Sequence, residues 1–305
     1  MRSTWGIKGA GKRLKGIAEC TPGIGKTFTR GAMPLKGRIH IKYLLTLVVI
    51  CLMVGCGNES FDEETFDVSG KNEIQEAYEN GDLEEKVFDY EERFSQNDYA
   101  GDIHADSQTE FVQGSGDSNV LVSAPHTTTH IREDAVLDAE IYTGSIALLI
   151  QAFTGAHVIY NVHEGEDANH VLGGFYKEKI GEIIEEYEVD LVIDLHGAGG
   201  SWDFDLEIGT DHGETISDER ADLLKYILEN NGIQDVYRNE NYPASGEGTV
   251  TYQSWHHYQT EAMQLEIHSD YRDPRNDFAS YFDMLKSLVY FVDNVDQIDN
   301  PAEER

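Results

Sequence analysis

The spacing of apolar positions changes repeatedly along the second half of the chain. Residues 119–124 (NVLVSA) form a short apolar run that predicts a buried strand. Over residues 135–153, Val136, Ile141, Ile146, Leu149 and Ile150 recur at helical spacing and Gly155 follows, so a helix is expected there. Residues 157–162 predict a second strand. In Phe175–Tyr187 the apolar side chains Phe175, Ile180, Ile183, Ile184 and Tyr187 share one helical face and glutamates the other. Residues 189–195 (VDLVIDL) have the aliphatic density of a strand at a sheet centre. Residues 204–208 and 262–267 (AMQLEI) predict further strands, and 218–229 and 278–295 further helices. Strands alternating with helices predict an α/β domain with three layers, α/β/α, around a central mixed, largely parallel sheet.

Upstream the pattern weakens. Residues 57–118 hold 19 acids against Lys71, Lys86 and Arg93, with few aliphatics. Such a stretch is expected to be a flexible acidic tether, with a helical turn near 73–78, because it offers too little apolar surface to fold alone. Its end, TEFVQGSGDSNVLVSAP, predicts two strands around a Gly-Ser-Gly turn, so the folded domain is expected to begin near Gln108. The expected organisation is a leader over 1–55, a tether over 56–107, a folded domain over 108–297 and a disordered tail over 298–305.

The leader rests on residues 43–54, YLLTLVVICLMV, preceded by Lys36, Arg38 and Lys42. The run falls short of the roughly 20 residues a membrane span needs and has the length of a signal-peptide core. It ends in Gly55-Cys56-Gly57-Asn58, which resembles a bacterial lipobox. The resemblance implies cleavage before Cys56, lipidation of its thiol and a membrane anchor at the cell envelope. A start at Met33 gives a compact leader, so translation is expected to begin there. Of Cys20, Cys51 and Cys56, only Cys56 then remains, which leaves no disulfide, thiolate metal site or cysteine nucleophile.

Charge sharpens this division. The 305 residues carry a net −34, which separates into +9 over residues 1–42 and −43 over residues 57–305. So few basic residues argue against a nucleic-acid partner. At 40% hydrophobic residues the chain is too apolar to be disordered throughout.

Candidate chemistry gathers where predicted strands end, which is where open α/β sheets place their sites. His126 follows the first strand. His196 follows 189–195 and precedes Gly197-Ala198-Gly199-Gly200, and Glu266 lies on 262–267. Histidines and carboxylates at one sheet edge suit Zn²⁺ held by three protein ligands with an open fourth position. Asp194, two residues before His196, is placed to orient a ligand from behind. Tyr252, Trp202 and Trp255 could line a cleft, and His256 and His257, at a loop or helix start, read as structural or rim residues.

The strings PHTTTHIRED…AEIYTG, DAN, VIDLHGA and QLEI…YR, in that order, resemble the N-formylglutamate amidohydrolase family over roughly residues 119–295. That family is related in fold to the zinc carboxypeptidases and aspartoacylases. The resemblance implies His126, Glu140 and His196 as zinc ligands. The H-x-x-E spacing of His130 and Glu133 offers an alternative pair. It further implies Glu266 as general base and Arg132, Asn169 and Arg272 as substrate-binding residues, the arginines clamping a carboxylate. Where the family usually shows Asp-x-Asn-Arg, this chain has Asp167-Ala168-Asn169-His170. The implied activity is zinc-dependent hydrolysis of an amide bond, in an N-acyl amino acid, a short peptide or a peptidoglycan fragment, at the envelope. The other reading is a catalytically silent binding lipoprotein on the same scaffold. Retention of His126, Glu140, His196 and Glu266 together favours the enzyme.

Overall fold

The structure, a computed structural model, describes residues 72–115 and 118–297. The expected leader, the lipidation site Cys56, the start of the tether and the tail lie outside the described residues.

The described chain opens with helices α1 (Asn72–Asn80) and α2 (Asp82–Ser95). Strands β1 (Thr109–Val112), β2 (Val120–Ala124), β3 (His130–Arg132) and β4 (Ala135–Leu137) follow. Next come α3 (Thr143–Thr154), β5 (His157–Asn161), β6 (Gly165–Glu166) and α4 (Phe175–Tyr187). The strands β7 (Leu191–Ala198) and β8 (Leu206–Gly209) precede α5 (Asp218–Asn230), β9 (Val236–Arg238) and α6 (Val250–Tyr258). The chain continues through β10 (Glu261–His268), the short α7 (Ser269–Arg272) and α8 (Phe278–Asn294).

Seven strands form the central sheet in the order β1-β5-β2-β7-β10-β8-β9. The four inner strands β5, β2, β7 and β10 are mutually parallel. At the edges, β1 pairs antiparallel with β5, and β8 antiparallel with β10. This is the expected mixed, largely parallel sheet, buried on both faces.

Period-2 alternation decides what each face receives. Val120, Val122 and Ala124, with Leu191, Ile193, Leu195, Met263, Leu265 and Ile267, join one large core with α1, α2, α3, α5 and α8. The opposite face packs Leu121, Val192 and Ala262 against Ile180, Ile183 and Ile184 of α4 and Val250 of α6. Further along the same strands this second face turns polar. Ser123, Asp194, His196, Gln264 and Glu266 take the alternate positions, all buried. The cross-strand register sets Ser123 beside Asp194 and Glu266 beside His196. The carboxyl ends of three parallel strands thus carry one polar cluster.

Three expectations are corrected. Residues 72–95 are not a tether. Ile74, Leu83, Val87 and Phe94 are fully buried in the main core, their acidic neighbours other than Glu91 facing solvent. Their spacing is helical, but the density of acids hides it in composition. Second, the helix expected from residue 135 begins only at Thr143. Ala135–Leu137 instead pairs with β3 as a hairpin, through a turn whose Glu133 and Asp134 have φ of 51° and 66°. Third, β1 and β2 do not pair around their turn, because β5 lies between them. Val250–Tyr258, which carries His256 and His257, is helical; Thr249 caps it by accepting the Tyr252 N–H.

Candidate metal and catalytic site

His126 stands two residues beyond β2, and Glu140 in the loop before α3. Two backbone bonds fix this loop: the Glu140 N–H donates to the His126 carbonyl at 2.8 Å, and the Tyr142 N–H donates to Glu91 Oε1 of α2 at 2.8 Å. The Glu140 carboxylate then lies between two imidazoles. Its Oε1 is 2.9 Å from His126 Nδ1, and its Oε2 is 3.0 Å from His196 Nδ1. The Gly197 N–H also donates to Oε2 at 2.9 Å.

Each histidine turns its other nitrogen to a fully buried aspartate. His126 Nε2 lies 2.9 Å from Asp167 Oδ1, and His196 Nε2 lies 2.9 Å from Asp194 Oδ2. Such carboxylates fix the ring with its proton on Nε2, leaving the Nδ1 lone pair for a metal. Asp194 is itself held by the Ser123 hydroxyl at 2.7 Å, and Asp167 by Arg132 Nε at 2.6 Å. His126, Glu140 and His196 offer ligand atoms all within 4.8 Å of one another. Two imidazole nitrogens and a carboxylate, each supported from behind, suit one divalent ion with room for a further ligand.

The charges agree with this grouping. Burial alone would raise the Glu140 carboxyl, but His126 and His196 outweigh it and hold it well below the usual range. Burial likewise opposes charge on His126 and His196, yet Glu140 and the aspartates raise both. His130 moves the other way. Burial, with His126 beside it, pushes it down to about 4.

The alternative ligand pair is not brought together. Glu133 is 84% exposed and nearest to His170, at 3.9 Å. His130 stacks on His126 with ring centroids 3.9 Å apart and supports Asp167 at 3.8 Å. His126, His130 and Asp167 also form a compact group. However, Asp167 already serves His126 and Arg132, so that group reads as the support behind the first.

A cavity of about 740 Å³ opens over this cluster, lined by His126, Glu140, His196, Glu266, Arg132 and Arg272 among others. Burial raises Glu266 to about 7; His196 opposes the shift and Glu140 reinforces it. Arg272 is fixed by backbone carbonyls. Its Nε donates to Ile141 at 2.8 Å, and its Nη1 donates to Ile267 at 2.9 Å and Ala198 at 3.3 Å. Among the described residues its Nη2 has no hydrogen-bond partner. The guanidinium passes so close to Gly197 that a Cβ there would lie 1.9 Å from Nη1. Arg132 is 41% exposed and paired with Asp167.

Asn169 lines the cavity, but both ends of its amide are engaged, Oδ1 by the Val250 N–H and Nδ2 by Gln264. Tyr252 and Trp255 do not line the cavity; Trp202 reaches it only through Tyr242, its edge-on neighbour at 5.2 Å.

Several residues the motifs did not single out complete the site. Glu207 lies beside Glu266 in the β8–β10 register and accepts the Asn241 and Tyr242 N–H groups, fixing one cavity wall. Lys177 of α4, 1% exposed, donates to the carbonyls of Ala168, Val171 and Gly248, so all three of its protons are used. Burial pushes Lys177 down to about 8, against the pull of Asp194 and Asp167. A buried lysine on the apolar face of a helix was the available signal, as was Asp167 within DAN.

No protein-family model and no curated protein matches the chain. Solved structures do. An N-formylglutamate amidohydrolase from Ralstonia eutropha JMP134 is 13% identical over 63% of this chain and 97% of its own, with a TM-score of 0.48. A gene product of Agrobacterium tumefaciens is 14% identical over 64% and 97%, with a TM-score of 0.47. A bacteriophage poly-gamma-glutamate hydrolase is 12% identical over 64% and 91%, with a TM-score of 0.41. The family named from the motifs is thus among the proteins this chain is similar to.

Proposed function

We propose that the protein is a zinc-dependent hydrolase of amide bonds, acting at the cell envelope on N-acyl amino acids, short peptides or peptidoglycan fragments. One observation carries this reading. His126, Glu140 and His196 converge beneath a cavity that also holds a free carboxyl oxygen of Glu266 and a fixed arginine. Zinc in the triad would supply a Lewis acid and make water nucleophilic near neutral pH. The remaining work belongs to the chain. Glu266, with a carboxyl raised to about 7, takes a proton from the attacking water and returns it to the leaving nitrogen. Arg272, which lines the cavity with its Nη2 unpaired among the described residues, would stabilise the negative charge that develops on the carbonyl oxygen. Asp167 and Asp194 keep both imidazoles oriented.

Metal analysis of the purified protein, together with a screen of N-acyl amino acids and short peptides, tests the proposal. About one zinc per chain and chelator-sensitive hydrolysis are expected. A protein that binds no zinc stoichiometrically would defeat it.

A further inference from the structure

Three hydrogen bonds run in series from the start of α6 to Glu266. The Val250 N–H donates to Asn169 Oδ1 at 2.7 Å. Asn169 Nδ2 donates to Gln264 Oε1 at 3.2 Å, and Gln264 Nε2 donates to Glu266 Oε1 at 3.0 Å. The direction of this series follows from chemistry. A backbone N–H can only donate, so Asn169 must turn its oxygen to Val250 and its NH₂ to Gln264. Gln264 must then offer its oxygen to Asn169 and its NH₂ to Glu266. Turning either amide over would set donor against donor and acceptor against acceptor.

The series is anchored at both ends. Lys177 binds the carbonyls of Ala168 and Val171, on either side of Asn169, and that of Gly248, just before α6. Gln264 and Glu266 occupy the same face of β10, two residues apart. Because Glu266 Oε1 accepts a hydrogen bond from Gln264, a proton of its own is favoured on Oε2. Among the described residues, Oε2 has no hydrogen-bond partner in the protein, and Glu266 lines the cavity.

We infer that Asn169 and Gln264 are positioning residues that lock Glu266 Oε1 and present Oε2 to the cavity as the proton-carrying atom. This rests on the reading of Glu266 as the general base. The proton balance closes. Water gives a proton to Oε2 as its oxygen bonds to the amide carbon, and Oε2 gives it to the nitrogen as the C–N bond breaks. Glu266 ends as it began, and acid and amine leave.

Asn169→Asp tests the inference in the full, zinc-loaded protein. It keeps the acceptor for the Val250 N–H, and hence the fold, but removes the donor to Gln264. The Gln264 amide should then turn its NH₂ to the introduced carboxylate and its oxygen to Glu266. Neutron diffraction, which tells the amide nitrogen from the oxygen, should show that reversal. The kcat should fall at least tenfold, with KM within about twofold and zinc content unchanged. The acid limb of the pH profile should move to higher pH, since an acceptor beside Glu266 favours its protonated form. Around Glu266 the other titratable groups are His196, Asp194, His126, Glu140, Tyr242, Arg272 and, beside it on β8, Glu207, and the substitution leaves each in place. Gln264→Met, which removes the donor outright, should give the same kinetics. The inference falls if Gln264 still donates to Glu266 in Asn169→Asp, or if both variants keep the parental kcat and pH profile. A reversed amide in a protein whose parent hydrolyses no amide supports the positioning and defeats only the catalytic reading of Glu266.

Discussion

The imidazoles and carboxylates of this site hold one another, whereas Arg272 is held by backbone carbonyls, and that makes substitutions around it informative. Arg272 threads past Gly197 to reach three carbonyls. Gly197→Ala should therefore displace the guanidinium and lower kcat by roughly 10²-fold, the scale of losing one oriented donor to a developing oxyanion. Steady-state kinetics with a zinc assay would check that the metal stays. Glu266 offers a test through pH. Its carboxyl is raised from 4.5 to about 7 in the folded protein. The folded state therefore holds this proton longer than the unfolded chain. That stabilisation is fully present below about 4.5 and is lost as pH rises to about 7, for a total of roughly 3 kcal/mol. Glu266→Gln in the metal-free protein should remove this contribution, leaving those of His126 and His196, and make the variant more stable than the parent at pH 8, as read by urea denaturation. It should also abolish hydrolysis once zinc is restored. Equal stability of the two proteins at pH 5 and pH 8 would contradict the raised carboxyl.

The helices and strands show where sequence patterning works and where composition misleads. The four inner strands and helices α3, α4, α5 and α8 are legible because long apolar runs and helical spacing dominate them. So were His126, His196, Glu266 and Asp194, since each stands at or near a strand end. Asp167, Gln264 and Lys177 were not legible as site residues, because their roles depend on loops closing from 9 to 95 residues away. Helix α2 was misread for a different reason. Its acids outnumber its apolar residues, yet Leu83, Val87 and Phe94 repeat at helical spacing. Phe94 meets Tyr160 edge-on at 5.3 Å, and a Cβ on Gly144 would lie 2.4 Å from its ring. Phe94→Ala should thus cost about 3–5 kcal/mol, as for other buried aromatics. A chain starting at Gln108 loses this layer and the Glu91 contact that shapes the Glu140 loop. It should be insoluble or bind zinc weakly, whereas one starting at Lys71 should fold. Comparing the thermal unfolding of the two chains is the direct check; matching transitions would mean α1 and α2 are dispensable.

On the scale of the whole molecule, charge and location are linked. A −43 balance over residues 57–305 repels the protein from anionic lipid headgroups. Its surface therefore supplies no electrostatic hold on a membrane, and retention at one would have to come from the lipidation of Cys56 that the lipobox resemblance implies. The expected result of Cys56→Ser follows from this accounting. The protein should leave the membrane pellet for the soluble fraction, while the described domain keeps its zinc and its activity. Salt supplies the discriminating arm. Adding about 1 M salt shrinks the Debye length to about 3 Å and removes the repulsion, but creates no new attraction. The variant should remain soluble at both low and high salt. If it instead stays in the pellet, the apolar run at 43–54 is acting as an uncleaved anchor, and the lipid assignment is wrong.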